Sequence, residues 1–158
     1  MIFWLLQVNS TVNVNGSDVA FDYLNTFYEM ADAIKEAKLL SPFLPHNYET
    51  NCVAYIGTHD NDIEDHFIEE HPELWEPMQD YLKINGVEHI NDTLIGSLMR
   101  SCADVVIFLP QDILRLGKNS RINTPGVASG NWRFRFRKEH FSKGLAEHLA
   151  IMVDEAHR

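Results

Sequence analysis

Apolar positions recur at helical spacing through Phe21, Leu24, Phe27, Ala31 and Ile34. This spacing predicts a helix that starts near Asp18, with Ser17 or Asp18 as N-cap, and ends before Ser41-Pro42. Residues 1–17, polar at Asn9, Ser10, Thr11, Asn13, Asn15, Gly16 and Ser17, show no convincing period. The apolar run Cys52–Ile56, closed by Gly57, reads as a short buried strand that delivers Thr58 to Asp62 onto a loop. Ile63 to Glu70 and Glu73 to Leu82 read as acidic helices separated by Pro72. Asp92 to Cys102 is a further helix, with Leu94, Ile95, Leu98, Met99 and Cys102 on its apolar side. The clearest strand is Asp104 to Leu109, whose unbroken apolar run is that of a strand covered on both faces. Pro110 ends it, Asp112 to Leu116 makes a helical turn, and Gly117 to Gly130 is a loop rich in Gly, Asn and Pro. In Asn131 to Lys138, Trp132, Phe134 and Phe136 alternate with arginines, which predicts extended chain. An amphipathic helix from roughly Phe141 to Ala156 closes the sequence, with Leu145, Leu149, Met152 and Val153 facing inward.

Strand, helix, strand, helix is the order of a parallel α/β sheet. Two strong strands are too few to cover this much apolar surface, so the fold is expected to be incomplete. The net charge of −10, from 13 basic and 23 acidic residues, disfavours nucleic acid and anionic membranes as partners. Charge is uneven: no Lys or Arg lies between Lys38 and Lys83, whereas nine of the 13 lie from Arg100 to Lys143. The arginines around Trp132 form an isolated strip on an acidic chain, which is weak grounds for nucleic-acid binding. Cys52 and Cys102 make no disulfide framework and are read as buried thiols of a cytoplasmic protein. The apolar start, Met1 to Leu6, is too short for a signal peptide, and no run approaches the roughly 20 apolar residues of a membrane helix.

Two stretches carry candidate chemistry. The first puts His59, Asp60, Asn61 and Asp62 on one loop at the C-terminal end of a strand, where parallel α/β folds place their sites. A carboxylate beside an imidazole can hydrogen-bond sugar hydroxyls, form half of an acid/base pair, or ligate a metal. A plain polar turn is the bland alternative. A calcium loop starting at Asp60 fails, because its sixth position is Asp65 instead of Gly and its twelfth is His71 instead of Glu. His59, His66 and His71 match no zinc spacing. The second stretch runs through Asn123, Asn131 and Trp132. Amides that donate and accept, beside a flat indole, suit a carbohydrate surface. Asparagines in turns and a core Trp132 would explain the same pattern.

The blocks Phe43–Tyr48, Gly57–Asp62, Pro110–Asp112, Arg121–Gly126 and Gly130–Arg133 resemble, in order and spacing, the C-terminal blocks of 4-alpha-glucanotransferases of the amylomaltase type, glycoside hydrolase family 77. The resemblance runs from about Ser41 to the C-terminus. It implies a (β/α)8 TIM barrel, of which residues 41–158 supply the last two strands and flanking helices. Residues 1–40 are then a divergent segment with one helix. It also implies retaining transfer of α-1,4-glucan segments between maltodextrin acceptors through a covalent glycosyl-enzyme. Asp60 matches the carboxylate that stabilises the transition state, and His59 matches the histidine beside it. Asn123 matches a sugar contact, with Asn131 and Trp132 as further substrate-binding candidates. No metal or cofactor is implied, since such transfer needs only carboxylates and a shaped cleft. Neither a nucleophile block nor an acid/base block is present in residues 1–40, so the chain is expected to be inactive alone. Ile63, Arg115, Ile122, Val127 and Phe134 depart from the residues usual in the family.

The expected partners are α-1,4-glucans or maltooligosaccharides, together with self-association or a complementing N-terminal barrel chain. Two other readings stand beside this one. One is a non-catalytic glucan-binding or complementing subunit. The other is a metal-dependent hydrolase built on His59, Asp60, His66 and His71.

Overall fold

The computed structural model describes residues 10–14, 17–60, 68–69, 71–86 and 89–158. Strand β1 (Ser10–Val14) and strand β2 (Ser17–Asn25) form an antiparallel hairpin that pairs Ser10 with Phe21 and Val14 with Ser17. Helix α1 (Thr26–Lys35) leads to β3 (Cys52–Tyr55), which lies parallel to β2 with Cys52 opposite Asp22. Helices α2 (Trp75–Leu82) and α3 (Ile90–Met99) precede β4 (Val105–Ile107), which is parallel to β3 with Val105 opposite Val53. The short α4 (Pro110–Ile113) and the terminal α5 (Lys143–Glu155) complete the regular elements. Sheet order β1-β2-β3-β4 follows chain order.

The helix expected from Asp18 begins only at Thr26, and residues 17–25 are strand instead. The sequence supports either element here. Phe21, Leu24 and Phe27 fit a helical repeat, while Val19, Phe21 and Tyr23 alternate and are residue types that suit a pleated ladder. Residues 17–21 pair with β1 and residues 22–25 with β3, and these partners decide the outcome. Among the described residues the parallel strands are therefore three, not the two visible in the pattern.

Helices cover one face of the sheet. Met30, Ala31, Ala33 and Ile34 of α1 meet Met78 and Leu82 of α2 and Ile90, Leu94, Ile95, Leu98 and Met99 of α3, and the sheet contributes Cys52 and Ala54. Strand period two then sends Val53 and Tyr55 to the opposite face, outside that cluster although buried. Their register partners on β4, Val105 and Ile107, are 43% and 52% exposed. Val106 and Phe108 pack against the helical core. The expectation that β4 is covered on both faces is thus corrected: an apolar run tells of two apolar faces, not of what lies against them.

Helix α5 forms near the expected place, with the Ser142 hydroxyl accepting from the Leu145 amide at 3.1 Å as N-cap. Its inward face is only half-covered at Leu145, Leu149 and Met152, and Val153 is exposed. Polar ties hold it in place. The Arg158 guanidinium donates to the carbonyls of Met99, Ser101 and Ala103, and His148 Nε2 lies 3.2 Å from Asp92 Oδ2. Of the two thiols expected inside, Cys52 is buried and Cys102 is exposed, because Cys102 falls past the C-terminus of α3. No helix among the described residues is long and apolar enough to cross a membrane.

One side-chain contact gives a stability prediction. His46 Nε2 lies 3.1 Å from the Leu39 carbonyl, so it donates there, and Nδ1 is left to accept from the Tyr81 hydroxyl at 2.8 Å. Burial pushes the Tyr81 phenol up to about 12. The unfolded phenol ionises near pH 10, so this contribution is complete below that value and is lost as pH rises to about 12. Denaturant titrations of wild type and Tyr81→Phe between pH 9 and pH 12 should therefore converge as pH rises. Parallel curves would assign the loss to other groups.

Candidate functional site

The site residues are brought together by two loops at the C-terminal ends of β3 and β4. Beyond Tyr55 the chain leaves the sheet through Gly57 and turns at His59 and Asp60. There the Thr58 hydroxyl accepts from the Asp60 amide at 3.4 Å. The second loop follows α4 and a single 3-10 turn at Lys118–Ser120, where buried Gln111 donates to the Ser120 carbonyl at 3.2 Å and fixes the loop base.

The loops join directly. The Asn123 amide N–H donates to the His59 carbonyl at 3.1 Å, and the Asn123 side-chain amide donates to Asp60 Oδ1. Asp60 Oδ1 also lies 3.4 Å from His59 Nε2, with the carboxylate about a third exposed. Asp60 therefore points neither into the core nor away from Asn123. Trp132 follows Gly130, whose φ of 93° needs a residue without Cβ, and itself sits at a φ of 63°. Such a conformation is an outlier for a bulky residue and marks a position held by its surroundings. The holding contact is the Trp132 amide, which donates to the Ile122 carbonyl at 2.7 Å. The indole is 55% exposed, and its ring centroid lies 4.9 Å from that of His59 at 43°.

Asp60, His59, Asn123 and Trp132 thus share one open patch: a carboxylate, an imidazole, an amide and an indole face. Asn131 is placed differently. Its side chain accepts from the Thr124 amide at 3.0 Å and donates to the carbonyls of Thr124 and Val127 at 3.3 and 3.0 Å, so its hydrogen-bonding groups close its own loop. Past Trp132, half-buried Phe134 and Phe136 alternate with exposed arginines as expected, with the two rings edge-to-face at 5.1 Å.

Arg121 is a member of the patch that sequence reasoning did not single out. Its guanidinium donates to the Asp60 carbonyl at 2.8 Å and to the Asn123 carbonyl at 2.9 Å. The available signal was its position two residues before Asn123 in extended chain, which puts both on one side. Asn61, Asp62 and His66 lie outside the described residues. Among the described residues, no group of three or more His, Cys, Asp and Glu gathers as a metal site. A surface cavity of about 350 Å³, lined by Pro45, His46, Tyr81, Thr93, Ser97 and Arg100 among others, shares no residue with the patch. The patch lies on open surface at the strand ends, apart from that groove.

The family model of 4-alpha-glucanotransferases matches residues 26–140, which include both loops and all five patch residues. The chain belongs to the 4-alpha-glucanotransferase family. Within that family it is 40% identical over 111 residues to the 4-alpha-glucanotransferase of Clostridium butyricum, covering 69% of this chain and 23% of that protein. It is 39% identical over 116 residues to the enzyme of a Synechocystis strain, covering 72% of this chain and 23% of that protein. Its structure resembles the amylomaltase of Streptococcus agalactiae solved in complex with acarbose, at TM-score 0.73 and 29% identity, over 82% of this chain and 26% of that one. The chain therefore spans about a quarter of the length of the 4-alpha-glucanotransferases it matches. The family match begins at residue 26, so α1 lies within it.

Proposed function

We propose that this chain carries the sugar-orienting side of a 4-alpha-glucanotransferase active site, and that its parallel strands are the closing part of a (β/α)8 barrel. The observation that carries the reading is the junction of the two loops. Asn123 meets the Asp60 carboxylate where the indole of Trp132 lies against His59, at the strand ends where barrels do their chemistry.

In this reading the substrate is an α-1,4-glucan and the reaction is retaining double displacement. Asp60 accepts hydrogen bonds from the hydroxyls of the sugar ring being cleaved. Its charge favours the ring most as positive charge develops toward the oxocarbenium, so it stabilises the transition state more than the ground state. His59 and Asn123 contact the same ring, and Trp132 gives it an apolar platform. Asn131 serves by closing the loop from which Trp132 projects.

Such chemistry also requires a nucleophile and an acid/base with carboxyl groups roughly 5 Å apart. We assign both to polypeptide corresponding to the remaining three quarters of the relatives. The 158-residue chain then binds glucan without turning it over. Incubating it with maltotriose should yield no longer maltodextrins, while calorimetry with acarbose should detect binding; robust disproportionation would overturn the inactivity. The exposed pair Val105 and Ile107 favours a second reading, a non-catalytic glucan-binding subunit that completes its barrel with another chain. Restored transfer on adding an upstream barrel portion would distinguish it from an inert piece.

A further inference from the structure

Among the described residues, ties of three kinds cross the junction and hold the loops at a fixed spacing. One is a single backbone bond, the Asn123 amide to the His59 carbonyl at 3.1 Å. One is the side-chain contact of Asn123 with Asp60. The third is Arg121, which grips both loops by their backbones: the Asp60 carbonyl on one side at 2.8 Å and the Asn123 carbonyl on the other at 2.9 Å.

We infer that Arg121 is the positioning residue for Asp60, a clamp that sets the carboxylate and the Asn123 amide against the same sugar ring. The inference rests on the assignment of Asp60 as a sugar-binding carboxylate. A guanidinium suits this task because its donors are held in one rigid plane, so two carbonyls on separate segments are fixed at one spacing. An ammonium at the same place is a single flexible point and cannot hold both with that geometry. Precise placement has a large effect in such a site, since shifts of about 1 Å are enough to cost affinity or rate on the order of 10-fold or more. Arg121 touches no reacting atom in this account. It acts through Asp60, and that makes the effect measurable as coupling.

The test is a double-mutant cycle on the full 158-residue chain, with acarbose as the calorimetric probe. Arg121→Gln should weaken binding by about 10-fold, and Arg121→Lys should recover only part of that loss. In an Asp60→Asn background the same Arg121→Gln change should alter affinity by less than about 2-fold, because the carboxylate it positions is gone. Equal losses in both backgrounds would overturn the inference and give Arg121 a direct ligand contact or a general structural role. A ligand-free readout runs beside it. The Trp132 ring centroid is 4.9 Å from that of His59, so its ring current should displace the imidazole proton resonances. Arg121→Gln should move them toward the positions seen in Trp132→Ala, whereas unchanged resonances would overturn the clamp. If the wild-type chain binds no acarbose, the sugar-site reading fails, and the resonances alone still decide whether Arg121 holds the junction.

Discussion

Asp60→Asn should weaken acarbose binding by roughly 10- to 100-fold and leave the thermal unfolding of the chain almost unchanged. The binding loss follows from charge. Hydrogen bonds to an ionised acceptor contribute about 1.5–3 kcal/mol, and each 1.4 kcal/mol is a factor of ten in affinity. Asparagine keeps an oxygen where Asp60 Oδ1 accepts from Asn123, so the junction of the loops survives while the negative charge goes. The small effect on stability follows from exposure. The carboxylate is about a third exposed and its approach to His59 is 3.4 Å, the range in which exposed ion pairs contribute little. Asn123→Ala should act more weakly on acarbose, a few-fold, because a neutral amide to a hydroxyl is the smaller contribution. Calorimetry on the three proteins checks both statements. Equal affinity of wild type and Asp60→Asn would leave Asp60 with no part in holding the sugar.

The sequence made the site more legible than the sheet that carries it. Strand β3 was readable because Cys52 to Tyr55 is short, apolar and stopped by Gly57, and only one element fits such a run. Helix α3 was readable because Leu94, Ile95, Leu98 and Met99 fit helical spacing, with all four buried. Residues 17–25 were not readable, because their apolar positions satisfy both periods and the choice lies in partners distant along the chain. The burial of β4 is not legible for a related reason: its covering layer is not encoded in the strand itself. At the site, the blocks around Asp60 and Asn123 suggested a carbohydrate surface and a family, but not that the two side chains would touch. Arg121 escaped notice because its work is done on backbone carbonyls, whose positions a sequence does not display. Asn131 was legible as an amide near a tryptophan, yet its bonds run to its own loop, a local use of asparagine that pattern alone cannot separate from ligand contact.

Val105→Lys/Ile107→Lys should abolish assembly with an upstream barrel portion while leaving the isolated chain folded. The two side chains stand on the sheet face opposite the helices, beside buried Val53 and Tyr55, at 43% and 52% exposure. Lysine there can reach water in the isolated chain, so the unfolding midpoint should change little, and binding of an apolar dye should fall as the patch becomes polar. The position is different inside a closed barrel, where side chains of alternate strands fill the interior in layers. Two unpaired ammonium groups in that packing cost several kcal/mol each. The occupant we assign to the face is the part of the barrel outside the quarter that this chain spans, because the matched amylomaltase continues well beyond it. The experiment adds the remaining portion of the Clostridium butyricum 4-alpha-glucanotransferase to the wild-type chain and measures maltotriose disproportionation. Wild type should restore transfer, and the double variant should give at least about 100-fold less. Equal restoration by both would mean that the face is not buried on assembly. Dimerisation of wild type but not of the variant, with no effect of the added portion, would instead make a second copy of this chain the occupant. Among the described residues no strand pairs with the outer edge of β4, and such an edge beside an apolar face makes one of these associations the expected outcome, which the two lysines separate.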